Sequence, residues 1–119
     1  MSLQVLLVED EALVSLLIQE TLTDLGCEIV GPATTVAAAI AVLDAKHIDV
    51  ALVDLALKGE LCLPVADALV DKGIPFAFVT GYGAEMLRGT RHAEAPVLSK
   101  PLTLAALTNF VRQLSERAS

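Results

Sequence analysis

The sequence predicts an α/β fold in which a parallel sheet carries helices on both faces, and three observations predict it. Short apolar runs alternate five times with segments whose apolar residues recur at three- and four-residue steps, strand spacing followed by helix spacing. Glycines and prolines punctuate the joints of this alternation. The apolar runs, LLV and ALV among them, are continuous, which fits strands buried on both faces. Right-handed crossovers between parallel strands then require a helix between each pair.

The elements follow in order. LQVLLVED is an apolar run ending in acids, and from Glu11 to Leu25 the residues Val14, Leu17, Ile18, Leu22 and Leu25 mark a helix that Gly26 ends. A short second strand, EIVG, leads through Pro32 to Thr34 and Thr35, which can cap a helix carrying Val36, Ile40 and Leu43 on one side. The third strand lies in DVALVDLAL, residues 49–57. A loop with Gly59 and Pro64 then precedes a helix from Val65 to Lys72, stopped by Gly73. Pro75 introduces the strand FAFVT, closed by Gly81 and Gly83, and AEMLRGTRHAEA is expected to hold a short fourth helix. The strand PVLS follows, then a last helix after Pro101 with Leu104, Leu107, Val111 and Leu114 inward.

Composition narrows the function. The 119 residues make one domain's worth of chain, 1–119, with no room expected for an output domain. Hydrophobic residues are 55% of it, which excludes a disordered chain. Eight basic residues among fifteen acidic ones, a net charge of -7, cannot form a phosphate-neutralising patch, so no nucleic-acid partner is expected. No apolar run approaches the ~20 residues of a membrane span and the start lacks a secretory signal, so a cytoplasmic protein without membrane contact is expected. Cys27 and Cys62 lack CxxC spacing and clustered histidines, so two reduced thiols are expected, at least one of them buried.

Asp54, in the middle of an apolar run, is the residue that needs explaining. A buried unpaired carboxylate would sooner take up a proton than stay charged in a core. In open sheets of this kind ligands bind outside the carboxyl ends of the strands. Placed there, Asp54 would stand at the exit of its strand. Glu9 and Asp10 then end the first strand, Thr80 the fourth, and Lys100 follows the fifth, so all five crowd one edge of the sheet.

The acid pair in LVED, the aspartate in LVDLAL, the threonine in FVTG and the lysine in SKP resemble, in order and over essentially the whole chain, a response-regulator receiver domain. The resemblance implies a flavodoxin-like doubly wound five-stranded sheet of strand order 2-1-3-4-5, the order already known for flavodoxin and for a receiver. It also implies Mg²⁺ held by Asp10, Asp54 and the backbone carbonyl of Ala56, with Glu9 acting mainly through water. Asp54 would be the nucleophile that accepts a phosphoryl group, Lys100 would pair with that group, Thr80 would offer a hydroxyl and Gly81 a backbone N–H. Pro101 would follow a cis bond. A sensor histidine kinase would be the donor. The signal would leave by protein contact, to a histidine phosphotransfer protein or a downstream target, from a monomer or weak homodimer. Like charges give the cation a physical reason independent of the resemblance: each carboxylate pair at ~4 Å costs about 4 kcal/mol at an effective dielectric of 20. Oxygen-only ligands suit Mg²⁺.

Other readings stand beside this one. Asp54 could be a strand-end carboxylate satisfied by the backbone, Thr80 an ordinary strand residue and Lys100 a solvated lysine. Arg88, Arg91 and His92 read as a solvated basic face. Tyr82 could cover the pocket or pack on the fourth helix. A Mg²⁺-dependent phosphohydrolase is disfavoured because the position two residues beyond Asp54, where a general acid is expected, is Ala56. A receiver-like binding module that is never phosphorylated is the better rival, supported by Val97 and the altered loop after Asp54, although it leaves the acids, Thr80 and Lys100 without a purpose. Two departures from the family matter. Val97 stands where most receivers carry Tyr or Phe, and LALKGELCLPVAD replaces the usual Met-Pro and Asp-Gly pattern. With FVTGYG, these features are similar to a divergent group of receivers with an FATG-like motif, several of them stand-alone. The expected consequence is that the loop after Thr80 and the fourth helix carry the conformational change.

Overall fold

A computed structural model describes residues 3–81 and 84–118, with side chains omitted at 84, 114, 115, 117 and 118. Five parallel strands form one sheet: β1 (Gln4–Val8), β2 (Glu28–Ala33), β3 (Val50–Asp54), β6 (Phe76–Thr80) and β7 (Val97–Ser99), in the order β2-β1-β3-β6-β7. Two-residue strands β4 (Ala56–Leu57) and β5 (Glu60–Leu61) form a separate hairpin. Without that hairpin the order is the expected 2-1-3-4-5.

Strand alternation sorts the core into two layers. Leu6, Val8, Ala51, Val53 and Phe78 face helices α2 (Val36–Ala45) and α3 (Leu63–Asp71), where Leu43, Val65 and Leu69 cover them. Val5, Leu7, Leu52, Ala77 and Val79 face α1 (Ala12–Asp24) and α4 (Leu104–Ala118), under Ile18, Leu22, Leu107 and Val111. Each fully buried leucine or valine contributes roughly 1.5–3 kcal/mol, so the two layers hold the sheet from both sides. Among the described residues no helix is long and apolar enough to cross a membrane.

Local chemistry sets the boundaries. Thr35 caps α2, its hydroxyl oxygen accepting from the Ala38 N–H at 3.0 Å, so Thr35 rather than Thr34 starts the helix. Gly26, at φ +82°, takes the left-handed turn that closes α1. Gly31 has a stricter reason to be glycine: at φ +110° a Cβ there would lie 2.8 Å from the Leu7 carbonyl oxygen. The Gly31–Pro32 and Lys100–Pro101 bonds are cis, the second as expected.

Several expected boundaries move. The run 49–57 is not one strand: β3 ends at Asp54, and Ala56–Leu57 folds back on Glu60–Leu61 through Lys58 (φ 47°) and Gly59 (φ 83°), the two left-handed positions of a tight hairpin turn. Pro64 lies in the first turn of α3 instead of the preceding loop, where its missing N–H has no helical partner to lose. The expected fourth helix is a 3-10 turn, Ala84–Leu87, followed by turns. Thr90 and Gly89 explain this: Gly89 sits at φ +76°, the Thr90 hydroxyl donates to the Leu87 carbonyl, and its oxygen accepts from the His92 N–H, so backbone groups bond locally instead of continuing a helix. Leu104 is 60% exposed at the first residue of α4, whereas Leu107 and Val111 point inward; the Leu114 side chain lies outside those described.

Candidate functional site

The register aligns the carboxyl ends of the strands. Val8 pairs with Val53, Asp54 with Val79 and Thr80 with Ser99, so Glu9 and Asp10, Asp54, Thr80 and Lys100 leave the sheet at one level. There Asp10, Glu11, Asp54, Ala56, Lys58, Gly59, Gly81 and Lys100 line an open cleft of about 290 Å³. A larger concavity of about 660 Å³ runs along the β2 edge beside Glu28, Gly31, Lys46 and His47. It holds none of these acids, so size does not mark the site.

The cleft concentrates negative charge. Carboxylate oxygens of Glu9, Asp10, Glu11 and Asp54 lie within 4.8 Å of one another. Glu9 and Asp54 are buried, at 1% and 4% exposure. Asp54 Oδ1 accepts from the Ala56 N–H at 3.2 Å, while Oδ2 accepts from Lys100 Nζ at 3.2 Å. Glu9 Oε1 accepts from the Glu11 N–H at 3.0 Å. Its Oε2 is buried without a hydrogen bond among the described residues, and Lys100 Nζ makes an ion-pair contact with it at 3.5 Å. Burial first, and the close approach of the Asp54 carboxyl and its charge second, push the Glu9 carboxyl up to about 7. Asp10 Oδ2 accepts from the Lys58 N–H at 3.0 Å, which ties the hairpin turn to the acid pair.

Lys100 is the cation of this cluster. Its Nζ lies 2.7 Å from Glu11 Oε1, 3.2 Å from Asp54 and 3.5 Å from Glu9. Burial acts to lower its pKa, but the hydrogen bond to Glu11 and the charges of Asp54 and Glu9 outweigh this and raise it, so the ammonium stays charged. The Lys100 N–H donates to the Thr80 carbonyl at 2.9 Å, which sets the lysine beside the end of β6. Thr80 itself is buried.

Thus Glu9, Asp10, Asp54 and Lys100 converge, with Ala56 and Gly81 on the cleft wall and Thr80 buried at its base strand. Sequence reasoning missed Glu11 and the Lys58–Gly59 turn. The third acid of the run EDE was the available signal for Glu11, whereas the turn's contact with Asp10 spans 48 positions and leaves no local trace. Tyr82 and Gly83 lie outside the described residues.

The basic cluster is a solvated face at its arginines but not at His92. His92 is buried, its Nε2 2.7 Å from Asp67 Oδ1, and its ring meets those of Phe76 and Phe78 edge-on. Arg91 and Arg88 keep the exposed positions expected, Arg91 reaching Asp67 at 3.8 Å and Asp71 at 3.5 Å. Cys27 and Cys62 are free thiols, and Cys62 is buried. Burial first, and Asp54's charge second, push the Cys62 thiol up to about 12.

Comparison with known proteins gives the fold a family. A family model described as the response regulator receiver domain matches residues 5–112. No curated protein sequence matches. Among solved structures, a response regulator receiver protein from Sinorhizobium medicae WSM419 is 27% identical, covers 99% of this chain and 98% of its own, and superposes with a TM-score of 0.85. SdrG from Sphingomonas melonis Fr1 is 37% identical over 96% of this chain and 97% of its own, with a TM-score of 0.82. The BeF3-activated conformation of SdrG from Pseudomonas melonis Fr1 is 38% identical over 96% and 98%, at 0.77.

Proposed function

We propose that this chain, which belongs to the response regulator receiver domain family, accepts a phosphoryl group on Asp54 and transmits that event by protein contact. The observation that carries the reading is the pairing of Lys100 Nζ with Asp54 Oδ2 at 3.2 Å inside an acid-lined, solvent-open cleft. A strand-end aspartate satisfied by backbone alone would need neither the lysine nor three further carboxylates.

The donor set fits Mg²⁺. It is made of oxygen only, it is crowded with like charge, and it contains a buried carboxylate oxygen, Glu9 Oε2, with no hydrogen bond among the described residues. Asp10, Asp54 and the Ala56 carbonyl would hold the cation and Glu9 would act mainly through water. When bound, the ion supplies charge neutralisation for the carboxylates and for the incoming phosphoryl group.

The chain's own residues do the rest. An Asp54 carboxylate oxygen attacks phosphorus, an O–P bond forms as the N–P bond of a phosphohistidine breaks, and the electron pair leaves on the imidazole nitrogen. Lys100, held charged by its acidic neighbours, offsets the negative charge arriving on the phosphoryl oxygens. Thr80 offers a hydroxyl and Gly81 a backbone N–H to the same group. The kinase-borne phosphohistidine makes a sensor histidine kinase the partner upstream, and a phosphotransfer protein or a downstream protein the partner after it. Receivers are signalling phosphoacceptors, so the chemistry is limited to gaining and losing this group. Val97, half-buried against the core and paired in register with Phe78, replaces the aromatic residue usual at that position. The change of state then passes to the segment after Thr80.

Intact mass after incubation with a small phosphodonor and Mg²⁺ tests the proposal. The expected result is the gain of one phosphoryl group by the native chain and none by Asp54→Asn. Turnover of donor without an adduct would indicate a hydrolase, and no reaction a silent binding module; either overturns the reading.

A further inference from the structure

The shortest ionic contact in the cleft does not involve the phosphoacceptor. Lys100 Nζ lies 2.7 Å from Glu11 Oε1, closer than either Asp54 or Glu9. The partners are 89 positions apart, one opening α1 and the other following β7. Glu11 stands at the N-cap of α1, yet its side chain makes no hydrogen bond to the helix it precedes. Ser, Thr, Asp and Asn are the side chains that satisfy free N–H groups at this position. A glutamate here gives the helix little, and its length is used instead to reach across the cleft.

We infer that Glu11 is a positioning residue that competes with the phosphoryl group for Lys100, so that it sets how readily the acceptor takes and keeps its modification. The inference rests on the proposed function, because Lys100 must be the group that meets the phosphoryl oxygens. An ammonium has three N–H donors, and Glu11, Asp54 and Glu9 already surround it. Two of those donors are committed in hydrogen bonds, to Glu11 and Asp54, and the third faces Glu9 at 3.5 Å, so a phosphoryl group on Asp54 competes with these carboxylates for the ammonium. Glu11 is the partner able to yield: its side chain is 59% exposed, so water replaces the lost contact, whereas Asp54 and Glu9 are buried. Its charge also faces the arriving anion, so the same carboxylate that holds the lysine repels the group the lysine is to bind. Toward a cation the sign reverses, because Glu11 is one of four carboxylates converging on the cleft.

These opposite signs make the test. In Glu11→Gln the side chain keeps its length and loses its charge, and its exposure makes misfolding no obstacle. Beryllofluoride, a phosphoryl mimic, is titrated at saturating Mg²⁺, and Mg²⁺ alone is titrated separately, both followed by amide chemical shifts. The expected result is beryllofluoride bound roughly fivefold more tightly than by the native chain, as removal of one nearby like charge in a well-solvated cleft implies, together with weaker binding of Mg²⁺ alone. The Cε resonance of Lys100 should move in the ligand-free variant, a shift that a purely structural role for Glu11 would not produce. Unchanged or weaker beryllofluoride binding, or an unmoved Lys100 signal, overturns the inference. Failure of the native chain to bind beryllofluoride in an Asp54-dependent way would instead overturn the phosphoacceptor reading, so the two failures are distinct.

Discussion

Two ionic clusters in this protein use similar residues to opposite ends. At the carboxyl edge of the sheet Lys100 faces Glu9, Glu11 and Asp54, with Asp10 beside them. Beneath α3, His92 faces Asp67, and Arg91 lies against both Asp67 and Asp71. The second cluster is relieved: its acids are half-exposed or more, the buried histidine bonds to one of them, and the ring is packed against Phe76 and Phe78. The first keeps two buried carboxylates against one ammonium and, among the described residues, leaves Glu9 Oε2 without a hydrogen bond. A cluster that meets its own needs holds the fold together; one that does not keeps uncompensated charge at the edge of the sheet.

The sharpest way to break this contrast is Asp54→Asn. It should abolish phosphoryl uptake completely and, by removing a charge from a crowded acid site, stabilise the metal-free protein by about 1 kcal/mol, seen as a melting temperature higher by about 4 °C. A lower melting temperature would mean that the Asp54–Lys100 pair outweighs the repulsion and that the site is not strained.

His92→Ala should do the reverse. Loss of a buried ring and its bond to Asp67 is expected to cost about 3 kcal/mol in urea unfolding while leaving Mg²⁺ affinity unchanged. A change in affinity would show that the clusters are coupled.

Mg²⁺ sharpens the contrast further. At ten times its Kd the ion should stabilise the native protein by about 1.4 kcal/mol, an effect reduced in Asp54→Asn and retained in His92→Ala. The pH dependence follows from Glu9, whose folded pKa of about 7 stands above its ordinary 4.5. Its contribution to metal-free stability is therefore fully present below pH 4.5 and lost as pH rises through 7. Metal needs the ionised carboxylate, so calorimetric titrations should show Mg²⁺ affinity rising from pH 6 towards 8, by up to about tenfold per unit below 7. A flat profile would remove Glu9 from the cation's surroundings. The smallest effect belongs to Arg91→Ala, about 0.5 kcal/mol or less, because its ion pairs are half-exposed and screened by solvent.

The same contrast explains what could be read in advance. Glu9, Asp10, Asp54 and Lys100 were legible because each ends or follows an apolar run, and a charge at a strand exit interrupts a pattern that sequence alone displays. His92 was misread because its partners, Asp67 and the two phenylalanines, come from other elements. An isolated histidine among arginines carries no mark of the pocket that receives it. The 3-10 turn at Ala84–Leu87 was misread because composition permits a helix there, and the bonds made by Thr90, which hold the backbone otherwise, depend on individual side-chain geometry.

By itself the sequence determined the strand and helix alternation, the sorting of apolar residues into two layers and the polar residues at the strand exits, because periodicity and burial are local consequences of side-chain chemistry. Only the tertiary structure decided that Glu11 grips Lys100, that the Lys58 amide holds Asp10 and that His92 lies inside. Those contacts join residues 25 to 89 positions apart. Their energy depends on distance and solvent exposure, which are properties of the folded arrangement and not of any stretch of chain.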